Sequence, residues 1–268
     1  MDYQEFITTV SAFYRESGRS LPWRQPEADG SFDAYKILVS EIMLQQTQVS
    51  RVIEKYHQFL QVFPDIDSLA EASLASVLVL WSGLGYNRRA KFLWQTAQQL
   101  AGNPQPWSYT DLLACPGIGL NTAAAIEVYA YNQPRIFIET NIRTVYIHHF
   151  FRDDAAVPDT AILSLLEKTY DQESPREFYW GLMDYGNYLK ATVGNASRQS
   201  KHYSKQSKFE GSKRQLRGRV LRCLATENAR PGELIDFLAD SRAETVIDDL
   251  ATEGLIENHN GYYRLYTT

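Results

Sequence analysis

Three short stretches hold residues whose types and spacing could do chemistry. Glu41 is an acid set among Ile37, Leu38, Val39, Ile42 and Leu44. A carboxylate so placed either turns to the solvent face of its helix or sits where its pKa rises, and a raised pKa makes a general acid. Directly after it comes the amide-rich run Met43-Leu44-Gln45-Gln46-Thr47-Gln48. Amides suit the reading or displacement of base edges, although polar helix ends also look like this. The second stretch, Trp81-Ser82-Gly83-Leu84-Gly85-Tyr86-Asn87-Arg88-Arg89, offers an aromatic ring at a glycine-flexed tip beside two guanidiniums. A stacking wedge with phosphate anchors would need that combination. In the third, Pro116-Gly117-Ile118-Gly119 precedes a helix whose first amides are left uncovered, so an anion can be held without a basic side chain. An ordinary helix corner fits a lone turn of this kind equally well. Trp23 and Arg24 could wall a site by stacking and hydrogen bonding, or Trp23 could plug the core.

The elements that must position these residues are helical. Apolar residues recur at helical spacing over 2–17, 34–47, 51–63 and 66–80, with a further helix over 91–100. Helices follow at 109–114, from 122 onward, and over 141–151, 160–170 and 176–189. Ile136-Phe137-Ile138 reads as a short extended link that delivers Glu139. Residues 21–24 form a loop. The fold class is all-α.

Composition bounds the rest. The chain has 268 residues, 44% hydrophobic and 22% charged, enough apolar material for one large domain and a smaller one. No apolar run reaches the roughly 20 residues of a membrane span, and the acidic N-terminus is unlike a signal peptide. The reading is a soluble cytoplasmic protein with no membrane partner. Two cysteines, Cys115 and Cys223, suit a reducing compartment as small buried hydrophobes. The five histidines show no ligand-like spacing, so no metal site is expected.

The net charge of −5 hides an uneven distribution. From 198 to 222 the bases Arg198, Lys201, Lys205, Lys208, Lys213, Arg214, Arg217, Arg219 and Arg222 face one acid, Glu210. Phosphate is the partner this favours, and a solvated linker is the alternative. After it, three helical segments over 213–226, 232–238 and 242–252 lead to two alternating runs joined by Asn260-Gly261, a hairpin signal. Three helices and a hairpin make a winged-helix-like segment. Its third helix carries Glu244, Asp248, Asp249 and Glu253, too acidic for a groove, which favours a structural or partner-binding wing.

Together, SEIMLQQTQV over 40–49, LWSGLGYNRR over 80–89, CPGIG from Cys115, ETNIRTV over 139–145 and MDYG over 183–186 resemble the helix-hairpin-helix DNA glycosylase superfamily. Within it the resemblance is to the adenine DNA glycosylases of MutY type. It covers roughly residues 5–190 and implies a two-lobed helical glycosylase body over 1–195. A basic linker over 196–211 and the winged-helix-like segment over 212–268 follow. The resemblance implies Glu41 as the acid that protonates the adenine ring, Glu139 as the carboxylate that stabilises or captures the sugar cation, and Asn141 as its partner. One protonated and one ionised carboxylate are what a glycosidic bond asks for. It further implies Trp23, Arg24 and Asn121 in the base pocket. Gln45, Gln46, Thr47, Leu84, Tyr86, Arg88, Arg89, Pro116, Gly117, Ile118, Gly119, Thr122, Lys201, Lys205 and Lys208 would lie on DNA. The implied partner is double-stranded DNA with a mispaired or damaged base, bound by a monomer associated with the nucleoid.

Three departures qualify the carry-over. Position 139 is aspartate in the family, and the extra methylene of Glu139 moves the charge by about 1.5 Å. The family's iron-sulfur cysteines would fall on Lys190, Ser197, Ser200 and Gln206, so a clusterless member without a cofactor is expected. A monovalent cation at the hairpin carbonyls is implied by resemblance only. The large C-terminal domain that reads 8-oxoguanine in the family is replaced by residues 209–268. Finally, the Schiff-base lysine of strand-cutting relatives is Asn121 here, which cannot form an imine. The implied activity is a monofunctional glycosylase for adenine opposite 8-oxoguanine or guanine. Release of another base, such as uracil, mismatched thymine or hypoxanthine, and silent lesion binding are the alternatives.

Overall fold

Burial of one apolar face per helix accounts for most of the architecture in the computed structural model, which describes residues 2–267. Among them are fourteen α-helices and one two-stranded sheet. The first helix, α1 (Tyr3–Ser17), is capped by the Asp2 carboxylate on the Glu5 amide and buries Phe6 and Val10. Residues 22–24 form one turn of 3-10 helix where a loop was expected, because Pro22 at its first position presets the turn. Next come α2 (Ala34–Leu44), α3 (Val49–Val62), α4 (Ile66–Ala70) and α5 (Leu74–Trp81). The single helix expected over 66–80 is thus two, because the Ser73 hydroxyl caps the Ser76 amide and starts a new one.

The remaining helices of the body are α6 (Arg88–Leu100), α7 (Tyr109–Ala114), α8 (Leu120–Tyr131), α9 (Thr140–Phe150), α10 (Asp159–Thr169) and α11 (Pro175–Thr192). The C-terminal segment contains α12 (Lys213–Leu224), α13 (Pro231–Leu238) and α14 (Ala243–Thr252), then strands β1 (Ile256–His259) and β2 (Tyr262–Leu265). The strands pair antiparallel with Ile256 opposite Leu265, and Ala229 bridges to Tyr263 on the other edge of β2. Asn260 at φ 54° and Gly261 at φ 82° make the turn, both in the left-handed region that this hairpin requires.

The chain divides into two compact units that do not follow sequence order. One comprises residues 1–37, 108–113 and 118–205; the other comprises 38–107, 114–117 and 206–268. The first is built on α11, against which α1, α8 and α9 pack. The second has α6 packed on α4 and α5, with α12 and β2 also lying on α5. The C-terminal segment therefore joins the core of the second unit. No helix among the described residues is long and apolar enough to cross a membrane.

Candidate active site

In the first unit, helix α11 sets the surroundings of Glu139. The extended link before α9 is pinned by Tyr179, whose hydroxyl accepts from the Phe137 amide at 3.0 Å while its ring stacks on Phe137 at 4.1 Å. Asn121 holds the same link from α8, its Nδ2 donating to the Ile138 carbonyl at 2.9 Å. Glu139 is then the N-cap residue of α9 with extended backbone, yet its side chain makes no cap bond to that helix. The carboxylate instead meets the positive end of the helix dipole. Burial raises its pKa, and the Arg143 and Lys190 cations pull it back toward the charged form. Arg143 is itself held by Asp159 of α10 through two bonds of 2.8 and 2.6 Å.

Gly186 lets α9 and α11 come this close. A Cβ there would lie 2.4 Å from the Asn141 carbonyl oxygen, so a glycine is required. Four residues on, along the same face, Lys190 donates from Nζ to Asn141 Oδ1 at 2.6 Å. Burial lowers the pKa of Lys190, and Glu139 opposes that shift. Earlier in the helix, the buried Asp184 accepts from the Arg19 amide at 2.7 Å and from Arg24 at 2.8 and 3.0 Å. Arg24 also lies over Trp180, and Trp23 is buried. The guanidinium expected in a base pocket is thus part of an internal ion pair that ties the 3-10 turn to α11.

In the second unit, Glu41 is half-buried on α2 between the fully buried Ser40 and Ile42. The turn after it, with Gln46 at φ 56°, and the loop 82–87, with Tyr86 at φ 48°, are both fixed by Arg89. Its Nη1 donates to the carbonyls of Ile42, Met43 and Gln45 at 2.7, 2.9 and 2.6 Å. Its Nη2 donates to Thr47 Oγ1 at 3.0 Å and to the carbonyls of Leu84 and Gly85 at 3.3 and 3.0 Å. Arg89 is buried, and burial pushes its pKa down to about 10. The expectation of a phosphate anchor is corrected at this position: Arg89 faces inward, while Arg88 is exposed. Leu84, expected to lie on DNA, is buried, whereas Gln46 is exposed.

Tyr86 is held by the C-terminal segment. Its hydroxyl accepts from Arg214 Nη1 at 2.7 Å and from Gln206 Nε2 at 2.5 Å, and the Arg214 guanidinium lies 5.0 Å from the ring centre. A cavity of about 280 Å³ opens beside this contact, lined by Gln46, Thr47, Tyr86, Phe209, Arg214 and Arg222 among others. Other bases of the run are engaged within the segment. Lys213 pairs with Asp249 and Arg217 with Glu253, while Arg219 donates to the last carbonyls of α13. Lys201, Lys205 and Lys208 are exposed.

At the hairpin, Gly117 has φ +75° and packs so tightly that a Cβ would lie 2.6 Å from the Phe92 ring. The Pro116 carbonyl accepts from Thr96 Oγ1 at 3.3 Å, and Ile118 is buried. Gly119 is the N-cap residue of α8 and provides no side-chain cap; Leu120 and Asn121 are exposed and Thr122 is half-buried. The amides at that helix start are the kind that hold a phosphate.

The model of the HhH-GPD superfamily base excision DNA repair protein matches residues 39–169. An adenine DNA glycosylase of Mycolicibacterium smegmatis is 31% identical over 277 residues, covering 92% of this chain and 90% of the relative. The chain belongs to the HhH-GPD superfamily. An adenine DNA glycosylase of Buchnera aphidicola is 37% identical, covering 68% of this chain and 52% of its own. One from Mus musculus is 33% identical, covering 82% and 44%. The chain spans about half the length of these two relatives. Among solved structures, a thermostable thymine-DNA glycosylase aligns with TM-score 0.60 at 22% identity, covering 72% of this chain and 90% of that one. A non-covalent endonuclease III–DNA complex aligns with TM-score 0.58 at 15% identity, covering 72% and 89%. These last two likenesses establish the fold.

The residues at the family's cluster positions do not fit an iron-sulfur group. None is a thiolate, and each is engaged otherwise. Lys190 binds Asn141, Ser197 donates to Asn195 Oδ1, Ser200 Oγ accepts from the His202 amide, and Gln206 binds Tyr86. Tyr179, Lys190 and Arg214 had no sequence signal for the roles they take. The helix expected over 176–189, with its MDYG motif, marked the element that supplies two of them.

Proposed function

We propose that the chain is a monofunctional DNA glycosylase of base excision repair. It hydrolyses the N-glycosidic bond of adenine opposite 8-oxoguanine or guanine and leaves an abasic site. The observation that carries this reading is the Glu139 carboxylate, presented at the start of α9 beside Asn141. The chain around it matches a curated adenine DNA glycosylase over most of both lengths.

The target base is unreachable inside a duplex, so the nucleotide is flipped before reaction. Glu41, protonated, donates to the adenine ring and makes the base a neutral leaving group. The C1′–N bond breaks, the sugar takes on positive charge, and ionised Glu139 stabilises it until water adds at C1′. The water's proton leaves with solvent or the carboxylate. Asn121 supplies no amine at the hairpin, which accords with hydrolysis rather than strand cleavage. Gln46, Leu84 and Tyr86 form the wedge that enters the stack opposite the flipped adenine, and Gln45 and Thr47 lie on the DNA. Phosphates lie on the 116–119 turn, on Thr122, and on Arg88, Lys201, Lys205 and Lys208. Trp23 and Arg24 support the base pocket from behind. The protein acts as a soluble monomer on DNA, in the cytoplasm at the nucleoid, with 212–268 as a winged-helix-like segment serving a structural or partner-binding role.

Single-turnover base release tests this on duplexes carrying adenine opposite 8-oxoguanine, guanine or cytosine, and uracil, thymine or hypoxanthine in mismatches. Adenine should appear fastest opposite 8-oxoguanine or guanine, with no covalent adduct trapped by borohydride. Release of a different base would reassign the pocket. Tight binding without any release would make the chain a lesion-binding protein.

A further inference from the structure

Lys190 is a cation set against the helix cap that carries Glu139. It lies half-buried on α11, next to the buried Leu189, and burial disfavours its charge. Retaining an ammonium there requires a compensating partner. Its partners are Asn141 Oδ1 at 2.6 Å and the field of Glu139. Both belong to the first turn of α9 and its cap, the part of the chain to which the proposed reaction assigns sugar-cation stabilisation.

We propose that Lys190 is a positioning residue for base release: it orients the Asn141 amide and holds Glu139 in the ionised form that a developing sugar cation requires. This rests on the reading of the chain as a base-releasing glycosylase. The orientation follows from hydrogen-bond chemistry. An ammonium only donates, so it fixes the Asn141 carbonyl oxygen toward itself and turns the NH2 away, as a donor. The electrostatic part follows from the charges around Glu139. Arg143 approaches from the same helix but is shared with Asp159 of α10, which also feels His202. Lys190 approaches from α11 and, among the described residues, pairs with no carboxylate of its own, so its charge is available to Glu139. Gly186, one turn earlier, sets the backbone approach that makes the contact possible.

The test compares the full-length protein with Lys190→Met, Lys190→Gln and Lys190→Arg. Two readouts are taken across pH: single-turnover adenine release, and binding to a duplex in which a pyrrolidinium replaces the target sugar. Thermal melting reports folding, and Lys190→Gln serves where Lys190→Met does not fold. Removing the cation leaves Glu139 protonated to higher pH, so the acidic limb of both profiles should move up. On that limb release should fall about tenfold, with a smaller loss on the plateau. Lys190→Arg should restore the position of the limb. A loss equal at every pH, or unchanged limbs in a folded neutral variant, would overturn the proposal. Should the wild type release no adenine, the functional reading fails by itself. The pyrrolidinium profiles then still decide whether Lys190 sets the charge of Glu139.

Discussion

Arg89 satisfies backbone carbonyls from two turns at once, and its position explains why both can carry left-handed residues. The Ile42 and Met43 carbonyls near the end of α2 and the Leu84 and Gly85 carbonyls of the next loop all accept from one planar guanidinium. Lysine has three donors on a single nitrogen and cannot span the two turns. Arg89→Lys should therefore cost about 1–3 kcal/mol, the range for leaving buried acceptors unpaired. Denaturant unfolding measures the loss, and amide exchange should locate it in residues 45–48 and 84–87. An unchanged midpoint with unchanged exchange would show that the turns hold themselves. The charge of Arg89 was legible in the sequence, but its direction was not. Two adjacent arginines after a glycine-rich tip look alike on paper, and only the proximity of the α2 carbonyls sends one of them inward. The same holds for Arg24, whose partner Asp184 lies 160 residues away in sequence.

Helix α11 is the element that organises the surroundings of Glu139. In order along one helix, Tyr179 pins the link, Asp184 ties the 3-10 turn, Gly186 admits the α9 backbone and Lys190 reaches Asn141. Gly186→Ala would place a methyl group against the Asn141 carbonyl and force the two helices apart. The expected destabilisation is about 1–3 kcal/mol, as for other overpacked contacts. The larger effect should be on rate, because a displacement near 1 Å at a reacting group costs about 10²-fold. Thermal melting and single-turnover release on the same preparation separate the two. A variant with a lowered melting temperature and a normal rate would mean that α11 supports the fold without positioning Glu139. Most of these helices were readable from apolar periodicity, and the extended link ahead of Glu139 from the run Ile136-Phe137-Ile138. The split between α4 and α5 was missed because a serine cap interrupts a pattern that stays apolar on both sides.

At the scale of the whole molecule, the C-terminal segment is part of a unit rather than an appendage. Its basic run reads in sequence as a phosphate surface, since only Glu210 answers it locally. In the fold, Asp249 of α14 answers Lys213 and Glu253 just after it answers Arg217, while Arg214 turns to Tyr86. Local charge windows cannot see partners some 36 residues away. The helices and hairpin of the segment were legible, because Asn-Gly turn chemistry is local. Its attachment to α5 was not, since packing between distant elements leaves no local mark.

The central claim is that this chain breaks the glycosidic bond of adenine with Glu41 as acid and Glu139 as the charge that meets the sugar. Its most direct test is single-turnover release of adenine opposite 8-oxoguanine by the wild type, Glu41→Gln and Glu139→Gln, with duplex binding measured alongside. The account predicts adenine release by the wild type and a loss of about 10²-fold or more in each variant, with binding retained. Near-normal release by either variant would contradict it.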